Sequence, residues 1–177
     1  AGYMRQALEN LAWMLEQQPD RPLQQLSILP ASEREQLLVT FNATGADYPR
    51  QQTIHGLFEE QVQRTPDAVA VKAGDRVLTY AELNARANQL AHHLLALGVQ
   101  PDSRVAICVE RGLDMVIGLY AILKAGAAYV PLDPAYPLER IAYMLEDSAP
   151  VAVLAQGATR GLLGDAPVID LDRPTWQ

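Results

Sequence analysis

A chain of 177 residues, 49% hydrophobic and 20% charged, has the makeup of a globular protein and the length for one domain, or one domain with a piece of another. Its net charge of −7 argues against nucleic-acid or anionic-membrane partners, which need a dense Lys/Arg surface. No apolar run approaches the ~20 residues that span a bilayer, and AGYMRQALEN lacks the basic-then-apolar order of a secretion leader, so the cytoplasm is the expected compartment.

The first segment, residues 3–16 (YMRQALENLAWMLE), places Tyr3, Ala7, Leu8, Leu11, Met14 and Leu15 three and four residues apart, the pattern of an amphipathic helix. It carries no start signal, and the chain is expected to be cut from something longer. Pro19, Pro22 and Pro30 then break the periodicity and predict an extended linker. Ser32 and Glu35 form an S-x-x-E pattern that predicts a capping box opening a short helix through EREQLLVTF. Turn chemistry in NATGADYPR, 42–50, sets a boundary near residue 50.

Beyond it the pattern becomes regular. TIHGLFEEQVQRTP puts Ile54, Leu57, Phe58 and Val62 on one helical face, with Thr53 as cap and Pro66 as stop. Two short apolar runs flank Gly74-Asp75 and predict a hairpin. Thr79 opens a second capping box with Glu82, and Tyr80, Leu83, Ala87, Leu90, Leu94 and Leu97 follow at helical spacing before Gly98.

Three runs, Val105–Val109, Ala128–Val130 and Val151–Leu154, are apolar throughout, which predicts strands covered on both faces, as in a parallel sheet. Between the first two lies LDMVIGLYAILKAG, a helix whose Asp114 and Lys124 complement its dipole at either end, with Gly126 as terminator. Pro137–Asp147 predicts another helix, with Ile141, Met144 and Leu145 inward and the Glu139-Arg140 pair on the surface. The alternation from about residue 104 to 155 makes the fold class α/β, a three-layer parallel-sheet arrangement.

The motifs of chemistry are missing. No phosphate-cradling glycine loop, dinucleotide fingerprint or nucleophile elbow is present. His55, His92 and His93 are not at metal-ligand spacing, and Cys108, inside VAICV, reads as a small buried hydrophobe. The acidic residues are dispersed over helix ends and turns.

Two stretches carry a resemblance. LTYAELNARANQLAHHLLALGV (78–99) and LKAGAAYVPLDPAYPLERIAYMLEDS (123–148) resemble, in order and spacing, the first two core motifs of adenylation domains of nonribosomal peptide synthetases. The upstream YMRQALENLAWMLEQQPDRPLQQLSILPASEREQLLVTFNATGADYP resembles the end of a condensation domain and its following linker. The resemblance implies a condensation-domain tail over 1–25, a linker over 26–50, and over 51–177 the N-terminal portion of the large domain of an adenylate-forming, AMP-binding ligase. In the complete domain an amino acid would be activated with ATP and Mg2+ as aminoacyl-AMP and loaded on the phosphopantetheine of a carrier domain. The neighbours expected in the same chain are the upstream condensation domain, the rest of the adenylation domain and the carrier domain.

The family's phosphate loop, substrate-carboxylate aspartate, specificity pocket and catalytic lysine all lie beyond its second core motif. The resemblance therefore assigns no catalytic, cofactor-binding or metal-binding residue to this chain, and Lys124 is not the family's catalytic lysine. Stretch 123–134 is expected to be scaffold, with small residues at 125–128 letting a helix end close on the sheet and Asp133 accepting N–H groups of a turn. The functional alternative is that this loop borders the substrate cleft, near the carboxyl ends of parallel strands. Other readings of the whole chain are a non-catalytic docking module and a piece of a related acyl-CoA ligase.

Overall fold

The computed structural model describes residues 2–173 and divides the chain into two compact units, Ala1–Arg50 and Gln51–Gln177. In the first, α1 (Gly2–Gln17) forms as its periodicity predicts, with Met14 buried, while Tyr3, Leu8 and Leu15 are exposed. The side-chain amide of Asn10 donates to the Ser27 carbonyl, and the Tyr3 hydroxyl to Glu33, tying the helix to the segment that follows.

The capping box expected at Ser32 does not form. Helix α2 (Ala31–Glu35) begins directly after Pro30, whose carbonyl receives the N–H groups of Glu33 and Arg34 at 3.1 and 2.9 Å. A cap must precede the helix; Pro30, with its fixed φ, takes that place and leaves the Ser32 hydroxyl inside the first turn. The helix then widens into a π turn over Gln36–Thr40, closed by a bond from the Phe41 N–H to the Gln36 carbonyl at 2.8 Å.

The second unit opens with α3 (Ile54–Arg64), where the Thr53 hydroxyl accepts the Gly56 N–H at 3.1 Å. Only Phe58 of its apolar face is buried, and Ile54 and Leu57 stay exposed. Strands β1 (Val69–Ala73) and β2 (Arg76–Thr79) form the predicted antiparallel hairpin. Gly74, at φ +60°, takes the first loop position, and Asp75 does not need a positive φ, the pattern of a type II′ turn.

Thr79 ends β2 and caps α4 (Tyr80–Ala96) in the same residue: its hydroxyl accepts the Glu82 N–H while the Glu82 carboxylate accepts the Thr79 N–H. Leu83, Ala87, Leu90 and Leu94 are buried along one stripe. Gly98, at φ +90°, closes the helix with Schellman bonds from Gly98 to Leu95 and from Val99 to Leu94.

Four parallel strands, β3 (Arg104–Cys108), β4 (Ala128–Pro131), β5 (Ala152–Ala155) and β6 (Val168–Asp170), lie in the order β4-β3-β5-β6. The connections are α5 (Leu113–Lys124), α6 (Leu138–Ser148) and a short α7 (Gly157–Arg160). Side chains of β3 alternate between two cores. Val105 and Ile107 pack with α4 and α5, whereas Ala106 and Cys108 pack with Ile141 of α6 and Leu163. Helices α5 and α6 thus cover opposite faces, as right-handed crossovers running in opposite directions along a sheet require.

Burial of both faces holds for β3 and β5 but not for β4, where Ala128 and Tyr129 are exposed. Its apolar run reflects a place at the sheet edge with one outward side, not full enclosure. Strand β6 and helix α7 were not among the expected elements.

Candidate functional site at the carboxyl ends of the parallel strands

The chain leaves the carboxyl end of β3 toward one side of the sheet and the carboxyl end of β5 toward the other. Such a point of divergence opens a crevice, where α/β folds place ligands. Here Gln156 bridges it. Its side-chain oxygen accepts the Glu110 N–H at 2.9 Å and its amide nitrogen donates to Asp114 at 3.0 Å, tying the end of β5 to the loop after β3 and the first turn of α5. Thr159 adds a second tie. Its hydroxyl meets the Gln156 N–H and carbonyl and donates to the Cys108 carbonyl at the end of β3.

Beside this bridge, at the carboxyl ends of β3 and β4, lies a cleft of about 610 Å³. Its floor is apolar, from Ile107, Val109, Met115 and Leu119. Glu110, Arg111 and Asp133 are the charged residues that line it, and Tyr129 and Tyr136 the aromatic ones. The volume falls in the ~300–1,000 Å³ range of small-molecule sites. The Arg140 guanidinium lies 4.2 Å from the centroid of the Tyr136 ring, which fixes that wall from outside. Among the described residues Glu110 and Arg111 have no side-chain hydrogen bond or ion pair.

The residues singled out in the sequence fall into two groups. Asp133 lines the cleft, and its carboxylate accepts the Ala135 N–H at 2.9 Å, so the turn contact and the cleft position hold together. Lys124 lies away from it. Its side chain, 6% exposed, forms an ion pair with Glu59 of α3, and its ammonium sits 5.9 Å from the Phe58 ring centroid. Phe58 in turn stacks on Tyr120 at 4.1 Å, so Lys124 is part of the packing of α3 on α5 in addition to being a terminal cation.

Glu139, Arg140, Glu146 and Asp147 are on the surface of α6. His92 is exposed and His55 and His93 are half-buried, and no group of three or more potential metal ligands exists among the described residues. Cys108 is fully buried; burial pushes its thiol up, Asp133 adds to the shift, and the Thr159 hydroxyl opposes it. Burial likewise raises the Tyr120 hydroxyl, with Tyr80 nearby adding to it. No helix among the described residues is long and apolar enough to cross a membrane.

Gln156 is the residue that sequence reasoning missed. Its only local signal is the Gln-x-x-Thr pattern directly after the apolar VAVLA, where the Thr159 hydroxyl accepts the Gln156 N–H at 3.1 Å at the start of α7. Its long-range partners, 46 and 42 residues away, are invisible before the strand order is known.

The AMP-binding enzyme family matches residues 58–175. Among curated relatives, malpinin synthetase of Mortierella alpina is 51% identical over 170 residues, covering 96% of this chain and 2% of that protein. Tyrocidine synthase 2 of Brevibacillus parabrevis is 50% identical over 153 residues, covering 86% and 4%. A mycosubtilin synthase polypeptide of Bacillus subtilis is 48% identical over 176 residues, covering 97% and 7%. The chain therefore spans a small fraction of the length of each.

Among solved structures, the nonribosomal peptide synthetase FmoA3 bound to α-methyl-L-serine-AMP superposes with a TM-score of 0.73 at 30% identity, covering 97% of this chain and 20% of that one. A four-domain nonribosomal peptide synthetase bound to AMP and glycine gives 0.79 at 28% identity, covering 97% and 13%. The parallel α/β sheet, the two core motifs on α4 and on α5-β4-α6, and the match over 58–175 agree: this chain belongs to the AMP-binding enzyme family.

Proposed function

We propose that this chain is part of a nonribosomal peptide synthetase module whose complete adenylation domain activates an amino acid with ATP as aminoacyl-AMP and loads it on a carrier-domain phosphopantetheine. The observation that carries the reading is about 50% identity to peptide synthetases across 96–97% of the chain. ATP use is supported by the family and by relatives solved with AMP or an aminoacyl adenylate.

We assign residues 1–25 to the tail of a condensation domain, 26–50 to a linker and 51–177 to the first part of the adenylation domain. In this reading the upstream condensation domain, the remainder of the adenylation domain and the carrier domain are partners in the same chain.

The described residues do not fit an ATP–Mg2+ site. The cleft is lined by one arginine and two acidic residues, a poor complement to a triphosphate, and no group of three or more potential metal ligands exists among the described residues. We place no catalytic, ATP-binding or metal-binding residue within this chain on the strength of the resemblance, which puts the family's phosphate loop and catalytic lysine beyond its second core motif. Amino-acid-dependent exchange of labelled pyrophosphate into ATP tests the reading, with the 177-residue chain run beside one extended through the complete adenylation domain. Exchange only in the extended protein is expected. Exchange in neither, across a full amino acid panel, would overturn the ligase assignment.

A further inference from the structure

We propose that α3 is a hinged latch, anchored at its C-terminal end and held against α4 and α5 by one aromatic plug and one ion pair, that opens while the rest of the second unit stays folded. The inference goes beyond the adenylation reading and does not rest on it.

Helix α3 is stitched to itself more than to its surroundings. The Thr53 hydroxyl caps it, the Gln52 amide donates to Glu60, Arg64 pairs with Glu60 at 3.6 Å, and the Gln61 amide donates to the Thr65 hydroxyl at 2.7 Å. Toward the core it sends a single fully buried side chain. Phe58 stacks on Tyr120 at 4.1 Å and lies tilted to Tyr80 at 5.9 Å, with Val62 partly buried against the same core. Among the described residues, the one side-chain hydrogen bond or ion pair from α3 to another element is that of Glu59 with Lys124. That pair is lopsided: the Lys124 side chain is 6% exposed and that of Glu59 47%, so water and salt reach the acid and weaken its hold.

The two ends of the helix differ. Just past it, the Pro66 carbonyl accepts the Ala81 N–H and the Ala68 carbonyl the Tyr80 N–H, both at 3.0 Å, which pins the chain to the first turn of α4. Thr65, at φ −140° and ψ 64°, leaves helical geometry directly before this pin and supplies the hinge. At the other end, among the described residues, the side chains of Gln52 and Thr53 bond only back into α3, and Ile54 and Leu57 stay exposed. A pull on the chain before Gln51 therefore acts on the free end. Opening breaks one stack and one ion pair and uncovers the Tyr80 and Tyr120 rings, whereas the buried stripe of α4 and the parallel sheet keep their contacts. Off its support, a helix of 11 residues is marginal in water, so opening is readable in the α3 amides.

The test is hydrogen exchange of the full-length polypeptide that carries these residues, read by mass spectrometry of peptic peptides over 54–64, 83–94 and 113–124. In the native protein, 54–64 is expected to exchange at least about tenfold faster than the other two. Glu59→Gln leaves the enclosed Lys124 ammonium without its partner, and Phe58→Leu keeps an apolar plug without the stack. Each is expected to speed 54–64 about fivefold further and leave 83–94 and 113–124 unmoved. Exchange of 54–64 in step with 113–124, equal acceleration of all three peptides in the variants, or no response of 54–64 to either substitution would each overturn the latch.

Discussion

Gly118 lies on α5 where an added Cβ would stand 2.8 Å from the Ile107 Cδ1 and 3.2 Å from the Leu154 Cδ1. Alanine would gain up to about 1 kcal/mol of helix propensity there, but both neighbours are buried and overpacking costs about 1–3 kcal/mol. Gly118→Ala is therefore expected to destabilise, and Gly118→Val more so, by urea unfolding. Lys124 poses a different question, since its stem is enclosed and its charge paired. Lys124→Ala is expected to cost about 2 kcal/mol and Lys124→Met to restore most of it, which assigns the larger share to packing of the stem. The reverse order would assign it to the pair with Glu59.

Buried Cys108 and half-buried Tyr120 give the stability a pH dependence. Each holds its proton more tightly when folded, so their contribution is intact below the ordinary values of 9.0 and 10.0 and is lost as the pH rises toward the elevated folded ones. Unfolding midpoints measured from pH 8 to 11 should fall, and Cys108→Ala should reduce the slope from its onset near pH 9 while leaving the Tyr120 part.

At the level of elements, the two capping boxes read in the sequence separate cleanly. Thr79 has both reciprocal bonds; Ser32 has neither. Thr79→Ala is expected to cost about 1 kcal/mol and Ser32→Ala within about 0.5 kcal/mol of zero, compared by thermal melts. The contrast marks what was legible in the chain. Where periodicity and terminator agree, joined by a cap over 79–98 and by dipole-complementing charges over 113–126, the element appeared as expected, because local bonds decide it. Where a proline competes for the same helix start, as at Pro30, the four-residue pattern was not enough.

The strands were legible as apolar runs, but which one is an edge depends on a pairing order set by crossovers of some 20 residues. The exposure of Tyr129 and the bridge made by Gln156 were therefore out of reach. For the same reason, stretch 123–134 read as scaffold, although its last residues, Pro131 to Pro134, line the cleft. The helix end and the Schellman turn at Gly126 are scaffold, and the segment after the strand is wall.

On the scale of the whole chain, an edge strand with outward Tyr129 and scattered exposed apolar side chains such as Val151 and Tyr143 is a surface that favours self-pairing. The isolated 177 residues are expected to associate as concentration rises, read by sedimentation velocity. A single monodisperse monomer at all concentrations, with a sharp cooperative melt, would count against this.

The strand order also dictates a timetable. Strand β3 occupies the middle of the sheet, yet both strands that flank it, β4 and β5, follow it in the chain. As the polypeptide leaves the ribosome, β1, β2 and α4 have their local partners at once, whereas β3 emerges with nothing to pair with until residues 128–131 appear, and its second side stays open until 152–155. The central strand, with four of its five residues buried in the finished sheet, is thus the one kept waiting longest, and a pause in translation between residues 110 and 150 would expose it to whatever else is nearby.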